Sequence, residues 1–307
     1  MRSRLIAAFA AVYIVWGSTY LAIRFAVETL PPLLMVGVRF LIAGSVLILW
    51  SRWRDRRWPS SVDWKTSAVS GTLMLAGGYG AVVWAEQKVP SGIAALLVAV
   101  VPVWMVLLDW LRPGGHRPRA TVFVGLALGL AGLCLLVGPD SLRGNGAIDL
   151  PSAAVLMAGS LSWAIASLYT QRAPRATSGS ARSSTQMLAG GVASVLVGIA
   201  LGEPGRLDLA HASTRSLAAL GYLIVFGSLI GFTAYLYMLA HTSAAKAATY
   251  AYVNPVVAVL LGWAIASEPV TARTLVAAAV ILGGVAIITL GRERAPVTGR
   301  VVERAAA

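Results

Sequence analysis

The stretch Ala94-Ala95-Leu96-Leu97-Val98-Ala99-Val100-Val101-Pro102-Val103-Trp104-Met105-Val106-Leu107-Leu108-Asp109-Trp110 decides the fold, because it returns 153 residues later. Ala247-Ala248 answers Ala94-Ala95, Pro255-Val256 answers Pro102-Val103, Val259-Leu260-Leu261 answers Val106-Leu107-Leu108, and Trp263 answers Trp110. Alanine, valine and leucine identities are cheap in an apolar chain; aligned prolines and tryptophans are not. Trp163 likewise echoes Trp16, each early in its half. The chain therefore reads as two related halves.

The composition says where those halves sit. Of 307 residues, 58% are apolar and only 12% are charged, where a soluble domain has about 45–50% apolar and about 25% charged. A disordered chain, a fibrous repeat and an ordinary soluble enzyme are excluded. With about 20 apolar residues needed per span, ten segments can be marked, at roughly 5–27, 33–51, 65–85, 91–111, 120–138, 149–169, 183–202, 216–240, 246–266 and 271–290. Breakers such as Pro31-Pro32, Pro90-Ser91-Gly92, Pro113-Gly114-Gly115 and Glu268-Pro269 separate them. The expected fold is all-α: a polytopic membrane protein with ten transmembrane helices in two five-helix repeats, 5–138 and 149–291, and a basic cytoplasmic tail, 292–307. Five is odd, so the second repeat must enter the membrane upside down, a transporter architecture with its site near the midplane.

The formal net charge is +13. Nucleic acid as a partner would require basic residues gathered on one solvated face; here they form short clusters between apolar runs. With the N-terminus inside, the inner loops and tail carry 18 Lys and Arg and the outer loops 5. The positive-inside rule then puts both termini in the cytoplasm of a bacterial-type inner membrane. Met1-Arg2-Ser3-Arg4 before an apolar run imitates a signal peptide, but the later spans have the same character, so it reads as an uncleaved first helix. In segment 7, Gly190, Ser194, Gly198 and Gly202 form a small-residue stripe. It is read as packing within the chain, with a homodimer as the alternative.

The stretch Ile14-Val15-Trp16-Gly17-Ser18-Thr19-Tyr20, with Pro31-Pro32 and Gly37-Val38-Arg39-Phe40, resembles the opening of EamA-type members of the drug/metabolite transporter superfamily. Val89-Pro90-Ser91-Gly92-Ile93-Ala94-Ala95 and the run from Tyr250 to Gly262 resemble its YedA-like inner-membrane exporters more closely still. The resemblance runs from about residue 5 to 291. It implies ten helices in two EamA repeats, efflux of a small metabolite or drug, and a central cavity lined largely by helices 3, 4, 8 and 9.

Polar groups inside spans are the site candidates, because hydrocarbon penalises them. Arg39 lies six residues into segment 2, too deep for a simple anchor; Arg24, near the end of segment 1, reads as a snorkelling side chain able to meet Glu28. Glu86, with Gln87 and Lys88, closes segment 3 as a gate or as a hydrated helix end. Asp109 reads as an interfacial ion pair with Arg112. No carboxylate falls near an expected midplane, so the usual proton-relay signature of an antiporter is missing. Pro102 and Pro255 are placed midway along segments 4 and 9, as paired kinks that free the carbonyls of Val98 and Ala251. Tyr79, Trp84, Trp163, Tyr235 and Tyr250 lie deep enough to stack on a flat substrate. Lys246, Tyr250 and Asn254, spaced i, i+4, i+8, place a polar stripe on helix 9. The matching residues of segment 4, Ile93, Leu97 and Val101, are apolar, so an amphipathic substrate with a polar or anionic head is expected.

The expected function is export of a small, amino-acid-like metabolite or drug by alternating access, with no cofactor and no metal. A facilitative or bidirectional permease is the alternative. A membrane-embedded enzyme is remote: His116, His211 and His241 fall in or beside loops, and the lone Cys134 has no evident partner.

Overall fold

The computed structural model describes residues 2–56, 58–89, 94, 97–113, 115, 117–137, 149–174, 177–266 and 271–290, which are helical with no strand among them. The principal helices are α1 (Arg2–Ala26), α2 (Pro32–Asp55), α3 (Ser61–Ala85), α4 (Val101–Leu111), α5 (Ala120–Val137), α6 (Leu150–Arg172), α7 (Gly179–Ala200), α8 (Thr214–His241), α9 (Tyr250–Ala266) and α10 (Ala272–Leu290). Seven of them (α1, α2, α3, α6, α7, α8 and α10) are long and apolar enough to cross a membrane, and α4 and α5 are shorter apolar helices. The expected start of segment 4 lies mostly outside the described residues; residues 99–100 form a turn and α4 begins only at Val101.

Polar contacts tie the helix ends into two opposite layers. At one end Asp63 completes a capping box with Ser60 and accepts the Thr177 hydroxyl at 2.6 Å. Asp109 pairs with Arg112 at 2.8 Å and with Arg172, joining α4 to α6. Gln171 donates to the carbonyls of Leu239 and Thr242, joining α6 to the end of α8. At the other end Ser216 donates to the Phe25 carbonyl at 2.7 Å, and Glu28 pairs with Arg215 at 3.9 Å rather than with Arg24. Glu203, 2% exposed, accepts the backbone N–H groups of Leu33 (3.1 Å) and Leu34 (2.8 Å). A carboxylate there satisfies two orphan donors of α2 and meets the positive end of its dipole. The first layer also receives the arginines of the loops after α2 and α4, so it is the basic end of the bundle.

Helix pairing follows one pattern through both parts of the chain. The most extensive contacts join α2 to α7 and α5 to α10; α6 lies on α3 as α1 lies on α8, and α4 meets α6 as α9 meets α1. Glycines allow close approach at these two crossings. A Cβ on Gly37 would stand 3.0 Å from the Gly191 carbonyl, and one on Gly125 would stand 2.8 Å from the Gly284 carbonyl. The stripe read on segment 7 divides differently. Gly190 faces Gly71 and Leu75 of α3, Gly198 faces α2 and Glu203, and Gly202 lies beyond α7 with φ +73°.

Three helices contain π-helical stretches: Val12–Trp16 in α1, Thr72–Tyr79 in α3 and Leu223–Phe232 in α8. The 153-residue offset carries 72–79 onto 225–232, so the α3 and α8 stretches fall at matching places. The prolines do not match in the same way. Pro255 interrupts α9, but Pro102 sits in the first turn of α4, where a helix needs no donor and the fixed φ of proline fits. Segment 4 is interrupted by the turn at residues 99–100, between helical residues 97–98 and α4, whereas in segment 9 Pro255 lies inside a helix. Segment 9 is also divided, since Ala244–Ala248 forms a separate turn that ends at Thr249 before α9 begins.

Replacing Glu203 by Ala leaves two buried N–H groups without acceptors and should lower stability by about 1–3 kcal/mol. Glu203→Gln keeps an acceptor oxygen and should cost less. Thermal unfolding of the purified protein in detergent checks the order: wild type, then Gln, then Ala.

Candidate functional site

A central cavity of about 700 Å³, counting its open part, lies among seven helices. From α1 come Trp16, Thr19, Tyr20 and Ile23; from α2, Arg39 and Phe40; from α3, Leu75, Gly78, Tyr79 and Val82. Gly159, Ser160 and Trp163 of α6 face them, with Gly227 and Phe232 of α8, Tyr250 and Asn254 of α9, and Val98 and Val101 at the start of α4. Helices 3, 4, 8 and 9 supply most of these residues, and α1 and α6, which were not expected, supply seven more. The face Trp16, Thr19, Tyr20 and Ile23 has the i, i+3, i+4, i+7 spacing of one helical side, a signal present in the sequence and not used.

Four aromatic side chains separate the cavity from the basic end. Trp16 and Trp163 meet edge to face at 5.7 Å between ring centroids. Tyr235 lies 5.2 Å from Trp16 and 5.5 Å from Trp163, and Tyr250 lies 5.0 Å from Trp16 and 5.4 Å from Tyr235. Tyr235 is fully buried; it accepts the Trp163 indole N–H at 3.2 Å and shares a hydrogen bond with Ser167 at 2.7 Å. Tyr13 and Thr249 bond at 2.6 Å one helical turn nearer the basic end.

The π stretches hold this layer in place. Trp16 donates to the carbonyl of Gly227 at 3.1 Å, and Ser162 donates to the carbonyl of Leu73 at 2.7 Å. In each case a residue of α1 or α6 bonds to a carbonyl within a π stretch from the other half of the chain. The same stretches supply the clearance. A Cβ on Gly231 would stand 2.7 Å from Trp16 Cδ1, and one on Gly78 would stand 3.0 Å from Trp163 Cβ. Wider π geometry re-aims a helix face and recurs at functional sites.

Arg39 is the cation of the cavity. It is 2% exposed, its Nε donates to Ser228 at 2.7 Å, and its Nη1 donates to the Tyr79 hydroxyl. Its guanidinium carbon lies 4.8 Å from the Phe40 ring centroid and 4.6 Å from that of Tyr79. No carboxylate pairs with it among the described residues, and none lines the cavity.

The remaining candidates divide. Tyr79, Trp163, Tyr250 and Asn254 line the cavity, while Tyr235 closes it from behind. The Asn254 amide, in the orientation that suits its neighbours, donates to the carbonyls of Tyr250 (3.1 Å) and Tyr13 (3.3 Å). Lys246 belongs to the separate turn before α9 and is not in the wall, so the three-residue stripe on one continuous helix is corrected to Tyr250 and Asn254. Trp84 packs beside the cavity wall with Val82 and Leu97, under the Lys88 ammonium at 5.8 Å. Glu86, just past the end of α3, keeps Oε1 buried with no partner, and burial pushes its carboxyl up to about 8. One oxygen is thus withdrawn from solvent while the residue as a whole is half-buried.

The profile of the EamA-like transporter family matches residues 3–138 and again 150–290. The uncharacterized inner membrane transporter YedA of Escherichia coli K12 is 42% identical over 290 residues, which cover 94% of this chain and 91% of that protein. The uncharacterized transporter YvbV of Bacillus subtilis is 24% identical over 94% of the chain and 91% of its own length. Protein PagO of Salmonella typhimurium is 25% identical over 95% of the chain and 94% of its own. A crystal structure superposes with a TM-score of 0.76 at 23% identity, covering 94% of this chain and 97% of the other, which is a likeness of fold.

Gly231→Ala drives a methyl into Trp16 and should cost about 1–3 kcal/mol as overpacking. Gly283→Ala, with open space around its Cβ position, should be neutral or slightly stabilising through helix propensity. Melting temperatures of the two variants beside wild type test whether the Trp16 contact is as tight as drawn.

Proposed function

The chain belongs to the EamA-like transporter family, and from that premise we propose that it is a secondary transporter exporting a small metabolite or drug across the inner membrane by alternating access. In this reading ten transmembrane helices form two inverted repeats, 5–138 and 149–291, and both termini are cytoplasmic. The observation that carries it is the composition of the cavity: its walls come from both family matches, and an aromatic layer of Trp16, Trp163, Tyr235 and Tyr250 stands across one end. A site between two repeats opens to alternate sides when one rocks against the other. The matched pairing of α3 with α6 and of α8 with α1 supports such a motion, and so do the π stretches at equivalent positions.

The positive-inside rule assigns the basic end to the cytoplasm. The aromatic layer then closes the cytoplasmic side, and release to the outside is the half of the cycle that this conformation serves. Export requires that layer to part from below, which means breaking the Tyr235–Ser167 and Tyr13–Thr249 bonds. A facilitative permease is the second reading. It is favoured by one observation, the lack of any carboxylate among the described residues of the cavity wall to carry a coupling proton.

Two measurements test these statements. In a Cys134→Ala background, cysteines at Arg117 and Gly205 should react with an impermeant thiol reagent from opposite faces of the membrane, the first from the cytoplasm. Reaction of both from one side would end the topology. In proteoliposomes, counterflow driven by a pH gradient supports coupled export, whereas equal exchange with and without the gradient supports the permease.

A further inference from the structure

We propose that the cavity is built for a small organic monoanion, whose carboxylate docks on Arg39 and whose apolar body lies against Ile23, Phe40, Val82 and Trp163. The inference rests on the transport reading for its biological use, and on the cavity alone for its chemistry.

Arg39 carries a charge that the protein does not neutralise. Moving an ion out of water is costly unless it is paired and hydrogen-bonded. Here the compensation is partial: two hydroxyls, on Ser228 and Tyr79, and two ring faces, on Phe40 and Tyr79. A guanidinium has five N–H donors in a planar fork, and these contacts occupy two of them. The side chain lines the cavity, so the rest of the fork is offered to whatever enters. Such a fork suits a carboxylate through two parallel hydrogen bonds.

The fork is also aimed. Ser228 holds Nε from α8, Tyr79 holds Nη1 from α3, and the bare backbone of Gly227 admits Nη2, which would lie 2.5 Å from a Cβ at that position. A side chain held from three directions is prepared for an incoming group, so little ordering is lost on binding. The other wall groups decide the rest of the ligand. Among the described residues they are mostly aliphatic, aromatic and glycine, with hydroxyls and one amide but no second cation and no carboxylate. A monoanion leaves the site neutral, whereas a dianion leaves a surplus negative charge and a cation adds to the positive one.

The test uses purified full-length protein in detergent and isothermal titration with two matched series: phenylacetate, phenylacetamide and 2-phenylethylamine, then hexanoate, hexanamide and hexylamine. The carboxylate of at least one series should bind about tenfold or more tighter than its amide and amine. Arg39→Gln should bring carboxylate and amide to equal affinity, and Arg39→Lys should keep a reduced preference. Gly227→Ala, which retains the charge but displaces the fork, should weaken the carboxylate several-fold and leave the amide unchanged. It also keeps the test decisive should Arg39→Gln fail to fold. Equal binding within both series, no binding by either carboxylate, or a preference that survives in both Arg39→Gln and Gly227→Ala overturns the proposal. Loss of counterflow in proteoliposomes with the binding ratios intact would instead remove the transport reading and leave the anion site standing.

Discussion

Hydrocarbon offers no hydrogen bonds, so any backbone group that leaves a regular helix must find its partner inside the protein. The cavity is arranged around that constraint. The π stretches of α3 and α8 depart from regular geometry at matching places, and their carbonyls are met by Ser162 and Trp16 from the opposite half of the chain. Each half thereby supplies what the other lacks. The glycines at these crossings, Gly78 and Gly231, are as necessary as the donors, because a side chain at either would push the tryptophan away.

The same scarcity of water explains how charge is distributed. Most basic side chains stay at the helix ends, where solvent or headgroups stabilise them. Glu203 and Arg39 are both buried charges, and each has a specific setting. Glu203 turns inward to two N–H groups at the start of α2. Arg39 turns inward to hydroxyls and rings, without an anion. The first setting is complete and so structural; the second is incomplete, and that difference marks Arg39 as a group directed at a ligand.

Several features were legible because they depend on local chemistry. The length of the apolar runs announced membrane helices, and the recurrence of proline and tryptophan at a fixed offset announced two related halves. Trp16 and Trp163, paired by their position in each half, prove to be neighbours in space. Other readings failed for identifiable reasons. Pro102 and Pro255 occupy aligned positions but not equivalent ones, because the turn at residues 99–100 puts the first at a helix start. Lys246 lies in the short helix that ends before Thr249 and is not among the residues that line the cavity. Glu86 sits in a polar triplet that suggests water, yet packing buries one of its oxygens.

By itself the sequence determined the class of solvent, the helical content and the family, because hydropathy and motifs are properties of residues in order along one chain. It could nominate Arg39 as unusual from its depth in an apolar segment. Only the tertiary structure decided what Arg39 faces, that Ser228 and Tyr79 hold it, and that α1 and α6 join the expected helices in lining the cavity. The physical reason is that a π stretch shifts the angular register of every residue after it, and a one-turn break does the same. Facing directions in this bundle are therefore set by where helices from the two halves meet, which no periodicity within one segment records.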